Sequence, residues 1–308
     1  MAQQPTSNQP DQIRVSPLFN NMFLYLFGKN GSESLTRSLL NAVLKQAGLP
    51  VIDSIDEIDE ITADATIPGG VQFRTARCDI VVVTRDGVYD IEAQGRHTNV
   101  ANKSLFYSAR LFGEHMPAGA EGDNYDNAPQ VVVITLLHGR KLFPRDKRFL
   151  TRGSIHWELE SGCQPATDRM LFIVVEMDKV SERYNSDSGE ISDDESLAWL
   201  YLLAKGYAST KEVETMSKQF PSIEEFAELY GMAVGDKHLK NQYEAYIRDV
   251  LDYNTTINEA RRTGHAEGRA EGIAEGWENG VHDVAEALRA FGVDEAAIQK
   301  ALESLKKA

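Results

Sequence analysis

The sequence predicts an α/β domain ending near residue 180, followed by a region built only of helices. Three observations carry this. Two β-rich runs flank Asp86-Gly87 in RCDIVVVTRDGVYDIEAQ, and Asp-Gly between such runs is a strong hairpin signal. Two further apolar runs, Val131–Leu137 and Leu171–Val175, have the length and composition of strands buried on both faces of a sheet. Helical periodicity alternates with these runs up to residue 180 and stands alone beyond it.

Taken in order, residues 1–15 are polar, with Pro and Gln, and are expected to be a mobile tail. Leu35, Leu39, Leu40, Val43 and Leu44 recur at helical spacing, with a Ser available for the N-cap and Gly48 as a stop. An acidic, irregular stretch with one or two possible strands runs from Val51 to about Thr75. After the hairpin, Asn99 to Met116 is expected to be a helix with Leu105, Ala109, Phe112 and Met116 as its apolar stripe. Lys103, Tyr107 and Arg110 lie on the opposite, polar face. The expected domain is thus 16–180, followed by an acidic linker or loop at 181–196 and a helical region at 197–262. A tail at 263–308 carries Gly264, Gly268, Gly272, Gly276 and Gly280. Glycine costs about 1 kcal/mol per interior helical position, so this regular stripe reads as a surface for close backbone approach in self-association, or else as a frayed tail.

Composition narrows the function classes. The 308 residues carry a net charge of −15, which argues against a non-specific nucleic-acid binder. The charge is uneven, however. Residues 1–160 hold 16 Lys and Arg against 19 Asp and Glu, and Arg140, Lys141, Arg145, Lys147, Arg148 and Arg152 face only Asp146 in their segment. That segment reads equally as a solvated loop or as a phosphate contact. The longest near-apolar run, Val131–Leu137, is far too short to span a membrane. The opening residues lack the pattern of a signal peptide, so the expected location is the cytoplasm. Cys78 and Cys163 are too few for a disulfide framework and are expected to be reduced and buried.

The hairpin carries the chemistry. A two-residue turn on Asp86-Gly87 pairs Thr84 with Tyr89, Val82 with Ile91, Val81 with Glu92 and Asp79 with Gln94. Asp79, Val81, Glu92 and Gln94 then share one face, with Asp79 diagonal to Glu92, while Ile80, Val82, Tyr89, Ile91 and Ala93 form the apolar face. Two partly buried carboxylates must share a proton or bind a cation. Oxygen ligands without a His or Cys cluster suit Mg²⁺ or Mn²⁺. Such an ion activates water and polarises a phosphodiester, which makes hydrolysis the natural reaction class. The residues leave a second reading open, in which Asp79 pairs with an Arg such as Arg77 and Glu92 sits at an exposed strand end.

Asp79 and Glu92-Ala-Gln94 resemble the signature of the PD-(D/E)xK nuclease superfamily, in the variant of the Rpn recombination-promoting nucleases, also classed as transposases, whose last motif position is usually Gln. The resemblance extends over Phe27-Gly28, Leu40-Asn41, the RCDIVVV strand, IEAQ, Lys103–Tyr107, Gly122–Tyr125 before the VVVI strand, and the glycine-periodic tail. It implies a restriction-endonuclease-like core, a mixed sheet flanked by helices, and a metal-dependent DNA endonuclease linked to recombination or mobile elements. Carried over by position, Asp79 and Glu92 are the implied metal ligands, with the Ala93 carbonyl as a further one. Gln94 stands in place of the usual lysine and brings no positive charge; Lys103 is a candidate to supply it.

Glu33 could complete an acidic cluster or serve as a first-turn Glu favoured by the helix dipole. Lys103, Tyr107 and Arg110 are candidate phosphate contacts, and His97 is a surface residue or an acid–base group. The segment Asn20–Phe27 lacks the Asp and Lys that the family often carries there. The expected partners are DNA and a second copy of the chain joined through the C-terminal helices, with no membrane. Two other function classes compete: a nuclease-fold protein that has lost catalysis and acts as a binding or regulatory module, and an oligomerising protein built around its tail.

Overall fold

A computed structural model of the chain describes residues 15–28, 31–59, 79–95, 99–117, 125–186, 194–205 and 210–305. Arg77, Cys78, His97 and Gly122–Asn124 lie outside the described residues, as does most of the acidic stretch before the hairpin. The chain divides into two units, Met1–Tyr243 and Glu244–Ala308.

The first unit is built on a six-stranded mixed sheet of order β1-β2-β3-β4-β8-β5. Its strands are β1 (Glu57–Asp59), β2 (Ile80–Thr84), β3 (Gly87–Gln94), β4 (Val131–Leu137), β5 (Leu150–Ser154) and β8 (Met170–Glu176). Strands β3, β4 and β8 run parallel, while β1, β2 and β5 are antiparallel to their neighbours. The expected apolar strands are therefore the central ones, and every residue of Val131–Leu137 is buried. Strands β5, β6 (His156–Leu159) and β7 (Gly162–Pro165) were not foreseen. The last two form a separate hairpin whose residues are all exposed, and the expectation of a buried Cys163 fails there.

Helix α3 (Val100–Glu114) connects β3 to β4 and covers one sheet face. It packs Tyr107 and Leu111 against Val81, Val88, Val131 and Val133. The expected apolar stripe is corrected here: Leu105 is 52% exposed, and the buried side is Val100, Ser104, Tyr107, Ser108 and Leu111. Both sides of this helix carry apolar residues, so periodicity could not decide between them. Burial of the small Ser104 and Ser108 lets the helix lie close to the sheet.

Helices α1 (Asn20–Phe27), α2 (Glu33–Gln46), α5 (Glu195–Lys205) and α7 (Pro221–Gly235) share an aromatic core. Trp199 meets Phe226 edge to face at 5.3 Å, and Phe27 lies against both rings. Trp199 Nε1 donates to Ser222 Oγ at 3.0 Å, which satisfies its one polar atom. Helix α2 ends as its sequence predicts: Gly48 takes φ +66°, and Leu49 N donates back to Leu44 O at 2.9 Å. Asn41 on α2 clamps the following loop by exchanging two hydrogen bonds with the Ile52 backbone.

Helix α4 (Met177–Ser186) occupies the first part of the acidic stretch, and α6 (Thr210–Gln219) packs on α7. Helix α8 (Lys237–Ala290) spans 54 residues and carries all five periodic glycines. A Cβ added at any of the five would meet nothing within 4 Å. The stripe is thus helical and open in the single chain. In the second unit, α9 (Glu295–Leu305) follows a tight turn and is tied back by the Arg289–Glu295 ion pair. No helix among the described residues is long and apolar enough to cross a membrane.

Candidate active site

The turn between β2 and β3 differs from the expected one. Its central residues are Arg85-Asp86, and Thr84 pairs with Gly87, Val82 with Tyr89, Val81 with Asp90 and Ile80 with Ile91. The Thr84 hydroxyl explains the shift: it accepts from Asp86 N and Gly87 N and donates to Gly87 O. Gly87 does not enter the left-handed region. It is needed because a Cβ there would lie 2.8 Å from the Gln130 carbonyl oxygen, which accepts from Val88 N. Gly87→Ala is therefore expected to destabilise the sheet by about 1–3 kcal/mol, measured by chemical denaturation.

The register moves by two residues, an even number, so each side chain keeps its face. Asp79 now stands across from Glu92 rather than diagonal to it. Asp79 N donates to Glu92 Oε1 at 3.2 Å, and Ala93 N donates to Asp79 Oδ2 at 2.9 Å. From α3, Lys103 reaches over the Tyr107 ring, 5.1 Å from its centroid, and its Nζ donates to Glu92 Oε2 at 2.5 Å and to Gln94 Oε1 at 2.6 Å. The structure thus gathers Asp79, Glu92, Gln94 and Lys103 at one end of the sheet.

The electrostatics follow from burial. Glu92 is 1% exposed. Desolvation first and the Glu92 charge second push the Asp79 carboxyl up to about 7, against the opposing pull of Lys103. Burial also raises Glu92, with Lys103 holding it back.

A third carboxyl, which sequence reading passed over, lies two residues before Glu92 on the same strand face. Asp90 is fully buried, and neither of its carboxyl oxygens finds a hydrogen-bond partner among the described residues. Burial foremost, then the Glu92 and Asp79 charges, push its carboxyl well above the usual carboxylate range. The alternation Asp90-Ile91-Glu92 was the available signal.

The other expected site residues are placed differently. The Glu33 carboxylate is engaged at the start of its own helix, accepting from Gly31 N at 2.9 and 3.0 Å, and those bonds lower its pKa. Tyr107 is 5% exposed, with its ring in the core beneath α3. Arg110 Nε pairs with Glu114 one turn along the helix at 2.7 Å.

Among the described residues, no group of three or more His, Cys, Asp or Glu side chains is arranged to hold a metal. Asp79 and Glu92 nonetheless suit a hard divalent cation. They are two oxygen donors whose burial raises both pKa values, a cost that a bound cation would remove, and a main-chain carbonyl such as that of Ala93 would complete a donor set of this type.

The β2–β3 hairpin, the parallel β3-α3-β4 unit and the paired acids give the arrangement in which a sheet end presents carboxylates beside a cation from a flanking helix. No curated protein and no solved structure matches the chain. The model of the family described as PD-(D/E)XK nuclease family transposase matches residues 17–260, which span both the carboxylate pair and the helices that follow the sheet, and the chain belongs to that family.

Proposed function

We propose that the protein is a divalent-metal-dependent DNA endonuclease whose cation is held by Asp79 and Glu92. The observation that carries this reading is the facing pair of carboxylates, Glu92 buried and Asp79 half-buried, with Glu92 tied by Lys103 to Gln94. Bound Mg²⁺ or Mn²⁺ would polarise the phosphodiester and lower the pKa of an attacking water.

The chain's own residues do the rest. Ala93 N and Asp79 N fix the two carboxylates in place. Lys103 supplies the positive charge that Gln94 lacks, and by donating to Gln94 Oε1 it fixes the orientation of that amide. Asp90, two residues before Glu92 and fully buried, resists taking up a third negative charge beside the pair.

Purified protein is expected to nick supercoiled plasmid with Mg²⁺ or Mn²⁺ and to stop when EDTA is added. Lys103→Met is expected to slow cleavage roughly 10²-fold, with Lys103→Arg less impaired. Equal cleavage by wild type, Lys103→Met and Glu92→Ala would point to a contaminating nuclease and against this site.

A catalytically silent binding module is the second reading. The direct Lys103–Glu92 pair favours it, because an internal cation can stand where a metal would otherwise neutralise the acid. Absence of cleavage together with DNA binding would select it.

The same reading includes self-association through the C-terminal helices. Ile273, Trp277 and Val284 are 64%, 56% and 57% exposed on the helix that bears the open glycines. Light scattering of the full chain is expected to give a dimer, and of a chain lacking 263–308, a monomer.

A further inference from the structure

We propose that the loop between β4 and β5, residues 138–149, is a docking surface for the backbone phosphates of duplex DNA. The inference rests on the nuclease reading for the choice of DNA and adds where the duplex lies. The loop leaves the sheet at the end that carries the carboxylates: His138 N donates to Gln94 O at 2.9 Å, directly beside the Lys103–Gln94 contact.

Its cations are presented by a buried device. Glu176, fully buried at the end of β8, accepts from Leu142 N and Phe143 N. Lys179, 6% exposed, pairs with Glu176 at 2.5 Å and donates to Phe143 O and Arg148 O. Glu176 N closes the loop by donating to Phe149 O at 2.7 Å. An ion pair removed from water stabilises little by itself, and a loop that was only solvated would need none. Here both charges are consumed on the loop backbone, which fixes its path and leaves Lys141, Arg145, Lys147 and Arg148 exposed.

Those side chains suit a polyanion. Lys141 and Arg148 already have acidic partners, Glu182 and Asp146. Arg145 and Lys147 are exposed and have no carboxylate partner among the described residues, and Phe143 beside them is 42% exposed. In a chain of net charge −15, the loop carries a local excess of Lys and Arg at the sheet end that bears the acidic pair. Backbone phosphates are the extended anion that matches it, and neutralising them releases counterions.

The test is binding of a fluorescein-labelled 20-base-pair duplex, read by anisotropy between 50 and 200 mM salt, with Ca²⁺ present. Arg145→Gln/Lys147→Gln is compared with wild type and with the control Lys237→Gln/Lys300→Gln. Loss of two phosphate contacts is expected to reduce the slope of log K against log salt by about 1.8, and to weaken binding about tenfold, while the control stays at wild type. An unchanged slope, no duplex binding by wild type, or preference for single-stranded RNA over the duplex would overturn the proposal. Plasmid nicking is scored separately: a reduced slope in a protein that never cleaves keeps the docking surface and removes the nuclease reading.

Discussion

Asp79→Asn is expected to raise the melting temperature of the metal-free protein at pH 8 by roughly 4–8 °C and to leave it nearly unchanged at pH 4. The Asp79 carboxyl titrates near 7 in the folded state, against an ordinary value of 3.8. Below about pH 4 it is protonated whether the chain is folded or not, and folding carries no penalty. As the pH rises toward 7, the unfolded chain ionises freely while the folded chain resists, so stability falls by on the order of 2–4 kcal/mol and then levels off. Asn keeps the acceptor for Ala93 N and removes the charge. The same linkage makes metal affinity rise with pH up to about 7, because the cation must displace the proton on Asp79. Calorimetry in buffers of different ionisation enthalpy reads that proton release.

Lys179→Met is expected to cost about 3–5 kcal/mol and to lower the melting temperature by roughly 6–15 °C. The substitution leaves the buried Glu176 carboxylate without its cation, and strips a donor from the carbonyls of Phe143 and Arg148. Glu176→Gln is milder, because the amide oxygen still accepts from Leu142 N and Phe143 N. The double variant Glu176→Gln/Lys179→Met is expected to recover part of the loss, since no buried charge remains. Hydrogen exchange at Leu142 and Phe143 should show the loop opening in Lys179→Met before the sheet does. A melt indistinguishable from wild type would mean that the pair does not hold the loop.

What the sequence revealed follows from which forces act locally. The period-two alternation of β2 and β3 placed Asp79, Glu92 and Gln94 on one face, and that placement holds because only an odd shift of register could reverse it. The register itself depended on the Thr84 hydroxyl closing the turn one residue early, a side-chain choice that the Asp-Gly signal outweighed in the reading. The central strands were legible because they are apolar throughout. Strands β5, β6 and β7 were not, since LTRGS, HWEL and GCQP carry no pattern that sets them apart from loops.

The faces of α3 and the role of Asp90 were decided by tertiary packing. Leu105 is the more hydrophobic residue, yet Tyr107 is the buried one, because the side that bears Ser104, Tyr107, Ser108 and Leu111 is the one packed on the sheet valines. Lys103 was singled out from its position in the family pattern, and its contacts with both Glu92 and Gln94 became visible only once α3 was laid across β3 and β4. Glu176 and Lys179 drew no notice as two charged residues at the end of a strand. Their burial required a loop to fold over them, a contact more than 30 residues away in sequence.

Whether the β2–β3 carboxylates hold the metal is decided by Mn²⁺ binding to wild type, Asp79→Asn and Glu92→Gln, followed by the electron paramagnetic resonance of free Mn²⁺. Wild type is expected to bind saturably at millimolar Mn²⁺ or below, and both variants to lose that binding while their circular dichroism stays that of the folded chain. Binding of equal strength in all three proteins would place the metal away from Asp79 and Glu92.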